Sequence, residues 1–175
     1  MIELTKEMLA ASNTYIPLAQ KEALASEIAP KCFDRLAITA DGEQLPPMYM
    51  VNTGLESRYL IAALVSRYLR AGFKADDADE NLMSVEDYDE WMGSHILCQI
   101  DRWKHDKDMR DKCYELLEDF YDFKRRITNQ INGLISAQND TVMRQGMYIS
   151  APMRELPALL SQIKELQESR DAEPD

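Results

Sequence analysis

Apolar side chains recur along this chain at the three-and-four spacing of helices. Thr5 stands where it can cap a short helix carrying Met8 and Leu9. Pro17 suits the first position of a second helix, because its missing N–H would be unpaired there in any case. Leu18, Leu24, Ala25 and Ile28 follow at helical intervals. Pro30 interrupts the pattern, and Cys32, Phe33 and Leu36 predict a further turn or two beyond it. Residues 38–53 lose the rhythm. They hold the turn pair Asp41-Gly42 and the pair Pro46-Pro47, which predict an extended loop packed by Leu45, Met48 and Tyr49. A small hairpin pairing 38–40 with 48–51 is the alternative.

The stretch 54–70 is more regular. At about 100° per residue, Leu60, Ile61, Leu64, Val65, Tyr68 and Leu69 cover well over a third of a helical cylinder, with Glu56, Arg67 and Arg70 on the remaining arc. So wide an apolar face predicts a central helix contacted from several sides. Residues 74–81 read as an acidic linker. Ser84, with Asp87 three residues on, predicts the cap of a fourth helix reaching about Lys104, its core face formed by Val85, Met92, Ile96, Ile100 and Trp103. A much longer helix is predicted over about 108–137. Asp140 can cap a short helix through Met147, Ser150-Ala151-Pro152 breaks the chain, and a last helix carries Leu156, Leu159, Leu160, Ile163 and Leu166. The expected fold is all-α, a bundle of about six or seven helices around 55–70 and 108–137. One domain is expected over 1–170, with a disordered tail at 171–175.

The long helix carries the clearest signal. Cys113, Leu116, Phe120, Phe123, Ile127, Gln130 and Leu134 step alternately by three and four, a heptad seam with one polar interruption flanked by Ile131. Asp122 and Arg126 stand four apart in the stabilising order. A helix of ~30 residues extends ~45 Å, so it must lie along several shorter helices or pair with a second copy. Leu116, Phe120, Phe123, Ile127, Gln130 and Leu134 are therefore the candidate interaction residues.

Composition narrows the partners. The 175 residues include 31 acidic and 20 basic side chains, a formal charge of -11. Such a surface repels phosphate backbones, and the densest basic run, Lys124-Arg125-Arg126, follows Glu118, Asp119 and Asp122 and reads as a solvated helix face. Direct nucleic-acid binding is not expected; a basic protein partner is. Asp76, Asp77, Asp79, Glu80, Glu86, Asp87, Asp89 and Glu90 cluster within 15 residues, which admits a folded decoy of carboxylates imitating phosphates. Three widely spaced cysteines, Cys32, Cys98 and Cys113, suit free thiols in a reducing compartment. The amino-terminal residues lack a secretory h-region, and the longest apolar run, residues 60–65, is far below the ~20 residues of a membrane span. The last helix carries Glu155, Glu165 and Glu168, unfavourable near anionic lipid. A cytoplasmic setting without membrane contact is expected.

The residues with chemical potential gather in W-M-G-S-H-I-L-C-Q-I-D-R-W-K-H, 91–105, which holds both histidines. His95 and Cys98 are three apart and can approach on one helix side. His105 lies about 10 Å further along the axis, too far to share a metal. A metal-dependent or thiol enzyme centred on His95 and Cys98 is the alternative function, but it needs ligands the sequence does not nominate. Asp77, Asp79 and Asn81 match the opening of a calcium loop, which then fails at Leu82 and Tyr88. Met92 and Arg102 occupy the positions that an E-x-x-H di-iron pattern needs. No phosphate-cradling glycine loop or nucleophile elbow is present. No catalytic residue, metal ligand or cofactor site is therefore assigned.

The segments T-Y-I-P-L-A-Q-K-E-A-L-A-S-E-I-A-P-K-C (14–32), L-P-P-M-Y (45–49) and S-R-Y-L-I-A-A-L-V (57–65) resemble uncharacterised small helical proteins of bacterial prophages and integrative elements, particularly of Gram-positive gut bacteria. The resemblance implies a bacterial, cytoplasmic setting and no activity. The expected function is that of a non-enzymatic, acidic interaction module that self-associates through its long helix.

Overall fold

The computed structural model describes the backbone of residues 2–40 and 43–171, and the side chains of 2–35 and 49–141. In chain order the elements are α1 (Lys6–Ala11), α2 (Leu18–Ile28), a 3₁₀ turn (Ala29–Cys32), β1 (Phe33–Ala40), β2 (Glu43–Val51), α3 (Thr53–Ala63), a π-turn (Leu64–Tyr68), β3 (Ala75–Asp76), β4 (Asp79–Met83), α4 (Val85–Gly93), α5 (Ile96–Trp103) and α6 (Arg110–Asp171). The chain is thus mainly helical, with two small antiparallel sheets among the described residues. It divides into two compact units, Met1–Asn132 and Gly133–Asp175, where the sequence pattern predicts one domain over 1–170. Of the predicted tail at 171–175, only Asp171 is among the described residues.

Several local signals act as read. The Thr5 hydroxyl accepts from the Met8 N–H, and the Ser84 hydroxyl from the Asp87 N–H. Asn52 caps α3 in the same way through Leu55. Tyr59 to Val65, with Tyr68 and Leu69, is buried on every side of its helix, so α3 and its π-turn form the centre of unit 1. The i-to-i+5 bond from the Leu69 N–H to the Leu64 carbonyl, 3.0 Å, widens the last turn. It brings the Tyr68 ring edge-on to Phe120 of α6, centroids 5.9 Å apart.

Where the expected bundle fails, the backbone shows why. Phe33 and Leu36 continue no helix; they open β1, which pairs with β2 from Phe33↔Val51 to Ala40↔Glu43. The extended-loop reading of 38–53 gives way to the hairpin alternative, longer than anticipated. Between Leu36↔Met48 and Ile38↔Leu45, one residue of β1 faces two of β2, Pro46 and Pro47. The bulge places at an unpaired point the two residues that cannot donate to a ladder. The Asp41-Gly42 turn lies outside the described residues. The acidic stretch 74–81 is also no linker. β3 pairs with β4 through Ala75↔Met83 and Asp76↔Asp79, fastened by Arg58, whose Nε donates to the Met83 carbonyl at 2.7 Å and whose Nη2 reaches the Asp76 carboxylate.

The predicted fourth helix is two. Its break is His95, in the left-handed region at φ 53°. The break shifts the helical phase. Ile96 and Ile100 are buried, whereas Val85 and Met92, which a single helix would align with them, are exposed and Trp91 is buried instead. Across this joint the Gln99 carboxamide accepts from the Leu4 N–H at 2.7 Å and donates to the Ile2 carbonyl at 2.9 Å, tying the amino-terminal segment down as a strand partner would. Finally, α6 replaces the predicted fifth, sixth and last helices. Asp140 has a capping side chain, but no glycine or proline between 134 and 145 turns the chain ahead of it.

Candidate interaction surface

The heptad stripe of α6 is used unevenly. Cys113, Leu116, Phe123 and Ile127 are fully buried, and Phe120 nearly so. At the polar interruption the interior contact passes to Ile131, 3% exposed, and Gln130 faces solvent. Of the six candidate interaction residues, Leu116, Phe120, Phe123 and Ile127 are thus interior residues of unit 1. Gln130 and Leu134 are surface residues, Leu134 at 41% exposure. From Asn132 to Thr141 no described side chain is buried.

The inner face of α6 is anchored by a charged cluster that the sequence pattern did not single out. Lys21 is 4% exposed. Its ammonium donates to Asp119 at 2.6 Å and to Asp122 at 3.0 Å. Asp119 also accepts from the Tyr68 hydroxyl at 2.9 Å and from the Ile16 N–H at 3.0 Å. Arg126 bonds Asp122 at 2.9 Å and reaches Glu22 of α2; Arg125 bonds Asp122 at 2.6 Å. Burial works against the charged form of Lys21, but the hydrogen bonds to Asp119 and Asp122 outweigh it and hold its ammonium pKa above the ordinary value. Arg126 foremost, then Lys21 and Arg125, hold the Asp122 carboxyl well below the usual carboxylate range against burial. Burial, reinforced by Asp119, pushes the Tyr68 phenol up. These groups keep one charge state near neutrality, so they clamp helices together and are poorly suited to proton transfer. The signal was legible: Lys21 stands in line with the buried Ala25 and Ile28, and a cation on an apolar stripe requires a carboxylate opposite. Leu18, counted with that stripe, is instead 51% exposed.

His95, Cys98 and His105 are all exposed. Among the described residues no group of three or more His, Cys, Asp or Glu side chains is placed to hold a metal ion. Cys32 and Cys113 are buried. Burial, and the Glu56 charge after it, pushes the Cys32 thiol up to about 12, where it is a poor nucleophile. The acidic cluster at 76–90 is partly consumed by the fold. Asp76 pairs with Arg58, Asp79 accepts from Lys31 at 2.7 Å and Tyr59 at 2.8 Å, and Asp87 accepts from the Lys74 N–H at 2.5 Å. No described helix is long and apolar enough to cross a membrane. Comparison with protein-family models, with curated proteins and with solved structures finds no match.

Proposed function

We propose that this protein is a non-enzymatic, acidic interaction module of a bacterial mobile element, acting in the cytoplasm and associating with itself through the carboxy-terminal part of α6. One observation carries the reading. The apolar stripe of α6 is filled from Cys113 to Ile131, and beyond it Leu134 is 41% exposed with no buried side chain from Asn132 to Thr141. The sequence continues with Ile135, Val142, Ile149, Leu156, Leu159, Leu160, Ile163 and Leu166. An apolar stripe gains from being covered, and a second copy supplies an identical one.

Light scattering coupled to size-exclusion chromatography on the full chain tests this. The expected mass is a multiple of 20.2 kDa, falling to one chain in Leu134→Lys while the tryptophan fluorescence of unit 1 is unchanged. A single-chain mass throughout the micromolar range overturns self-association. The resemblance of segments 14–32, 45–49 and 57–65 to mobile-element proteins supports the setting.

A further inference from the structure

We propose that the cleft between residues 14–21 and α6 is a docking site for an arginine-bearing segment of a partner protein. This rests on the reading of the protein as an interaction module and names the chemistry of a partner other than itself. The cleft measures about 860 Å³ and is bounded by Tyr15 and Tyr121, by Glu115 and Glu118, and on its floor by Lys21 and Asp119. Tyr15 and Tyr121 are 60% and 51% exposed, a pair of aromatic rings facing water across one depression.

Charge complementarity selects the occupant. The two cations lining the cleft are already engaged: Lys21 by Asp119 and Asp122, and Arg125 by Asp122. Glu115 and Glu118 are exposed and have no ion pair among the described residues. Glu115, Glu118 and Tyr121 follow at three-residue steps on α6, so the two carboxylates and the ring adjoin along one face. Tyrosine rings of this unit already receive cations. The Lys21 ammonium lies 5.4 Å from the Tyr15 centroid and the Lys104 ammonium 4.7 Å from that of Tyr114, whereas no described cation lies over Tyr121. A guanidinium can stack flat on such a ring while donating sideways to carboxylates, which an ammonium on a flexible stem does less well. The net charge of -11 favours encounter with a basic partner.

Calorimetric titration of the full chain with an arginine-glycine repeat peptide tests the proposal, with lysine-glycine and glutamate-glycine peptides of equal length beside it. The arginine peptide binds tightest and the glutamate peptide does not bind. The pair Glu115→Gln/Glu118→Gln weakens binding by about fivefold and Tyr121→Ala by about threefold. The pair Glu86→Gln/Asp89→Asn removes the same charge from exposed positions of α4 and leaves affinity within about twofold. No binding, equal affinity for the lysine peptide, or equal weakening by the α4 pair each overturns the site. Light scattering on the same samples separates the two proposals. A multimer that ignores the peptide removes the cleft alone, and a single chain that binds it removes self-association alone.

Discussion

Replacing Lys21 by methionine removes a charge from the most enclosed ionic contact described in unit 1. The lysine side chain is 5% exposed, and its partners Asp119 and Asp122 are 11% and 22% exposed. Breaking a buried pair by deleting one member typically costs about 3–5 kcal/mol, because the other charge is left in the interior. Here the loss is smaller for Asp122, which keeps Arg125 and Arg126, and larger for Asp119, which keeps only the Tyr68 hydroxyl and the Ile16 N–H. The expected destabilisation is therefore about 2–4 kcal/mol. Urea unfolding followed by tryptophan fluorescence measures it in unit 1, since both tryptophans, Trp91 and Trp103, lie there. Adding Asp119→Asn should recover part of the loss by removing the stranded charge. The pH dependence gives a second readout. Lys21, with its folded pKa raised, contributes stability that is complete below about pH 10 and lost as pH rises through the folded value. Asp122, with its folded pKa lowered, contributes above about pH 4 and loses it as pH falls through the folded value. Lys21→Met should shrink the alkaline limb, to which the raised phenol of Tyr68 also contributes, and keep most of the acid limb, which Arg126 sustains. A loss below about 1 kcal/mol with the alkaline limb intact would refute the account of Lys21 as a buried, charged clamp.

Leu116→Ala should cost unit 1 about 2–5 kcal/mol, since it empties a fully buried site. Leu134→Ala should cost its fluorescence-monitored unfolding less than about 0.5 kcal/mol; similar losses at both would contradict the described division of the stripe. His95→Gly should stabilise by about 0.5–1 kcal/mol, because glycine adopts the left-handed conformation without the Cβ penalty. A destabilised variant in the same denaturation assay would assign the imidazole a contact that outweighs the strain. Thiol labelling of the native chain at mildly alkaline pH should modify Cys98 rapidly and leave Cys32 and Cys113 until unfolding, and rapid modification of all three would show the interior to be open.

Much of the helical framework was legible because its signals are local. A hydroxyl three residues ahead of a backbone N–H is a cap wherever the helix later packs, so Thr5 and Ser84 were readable directly. A stripe such as Leu60, Ile61, Leu64, Val65 and Tyr68 is apolar because it is interior, whatever covers it. The breaks and hairpins were harder. His95 in a left-handed conformation is a choice that short-range preference opposes; the buried Ile96 and Ile100 favour it once they pack. Pro46-Pro47 signals disruption, but only a facing strand turns that disruption into a bulge.

The heptad spacing of α6 was equally plain, yet spacing states that a face is apolar and is silent on what lies against it. Which part of the stripe is interior and which is open at Leu134 is a property of the packed molecule. The same holds for the charge of Lys21. Its identity and place on α2 belong to the sequence, whereas the carboxylates that make its burial tolerable stand about a hundred residues away and meet it only through the fold.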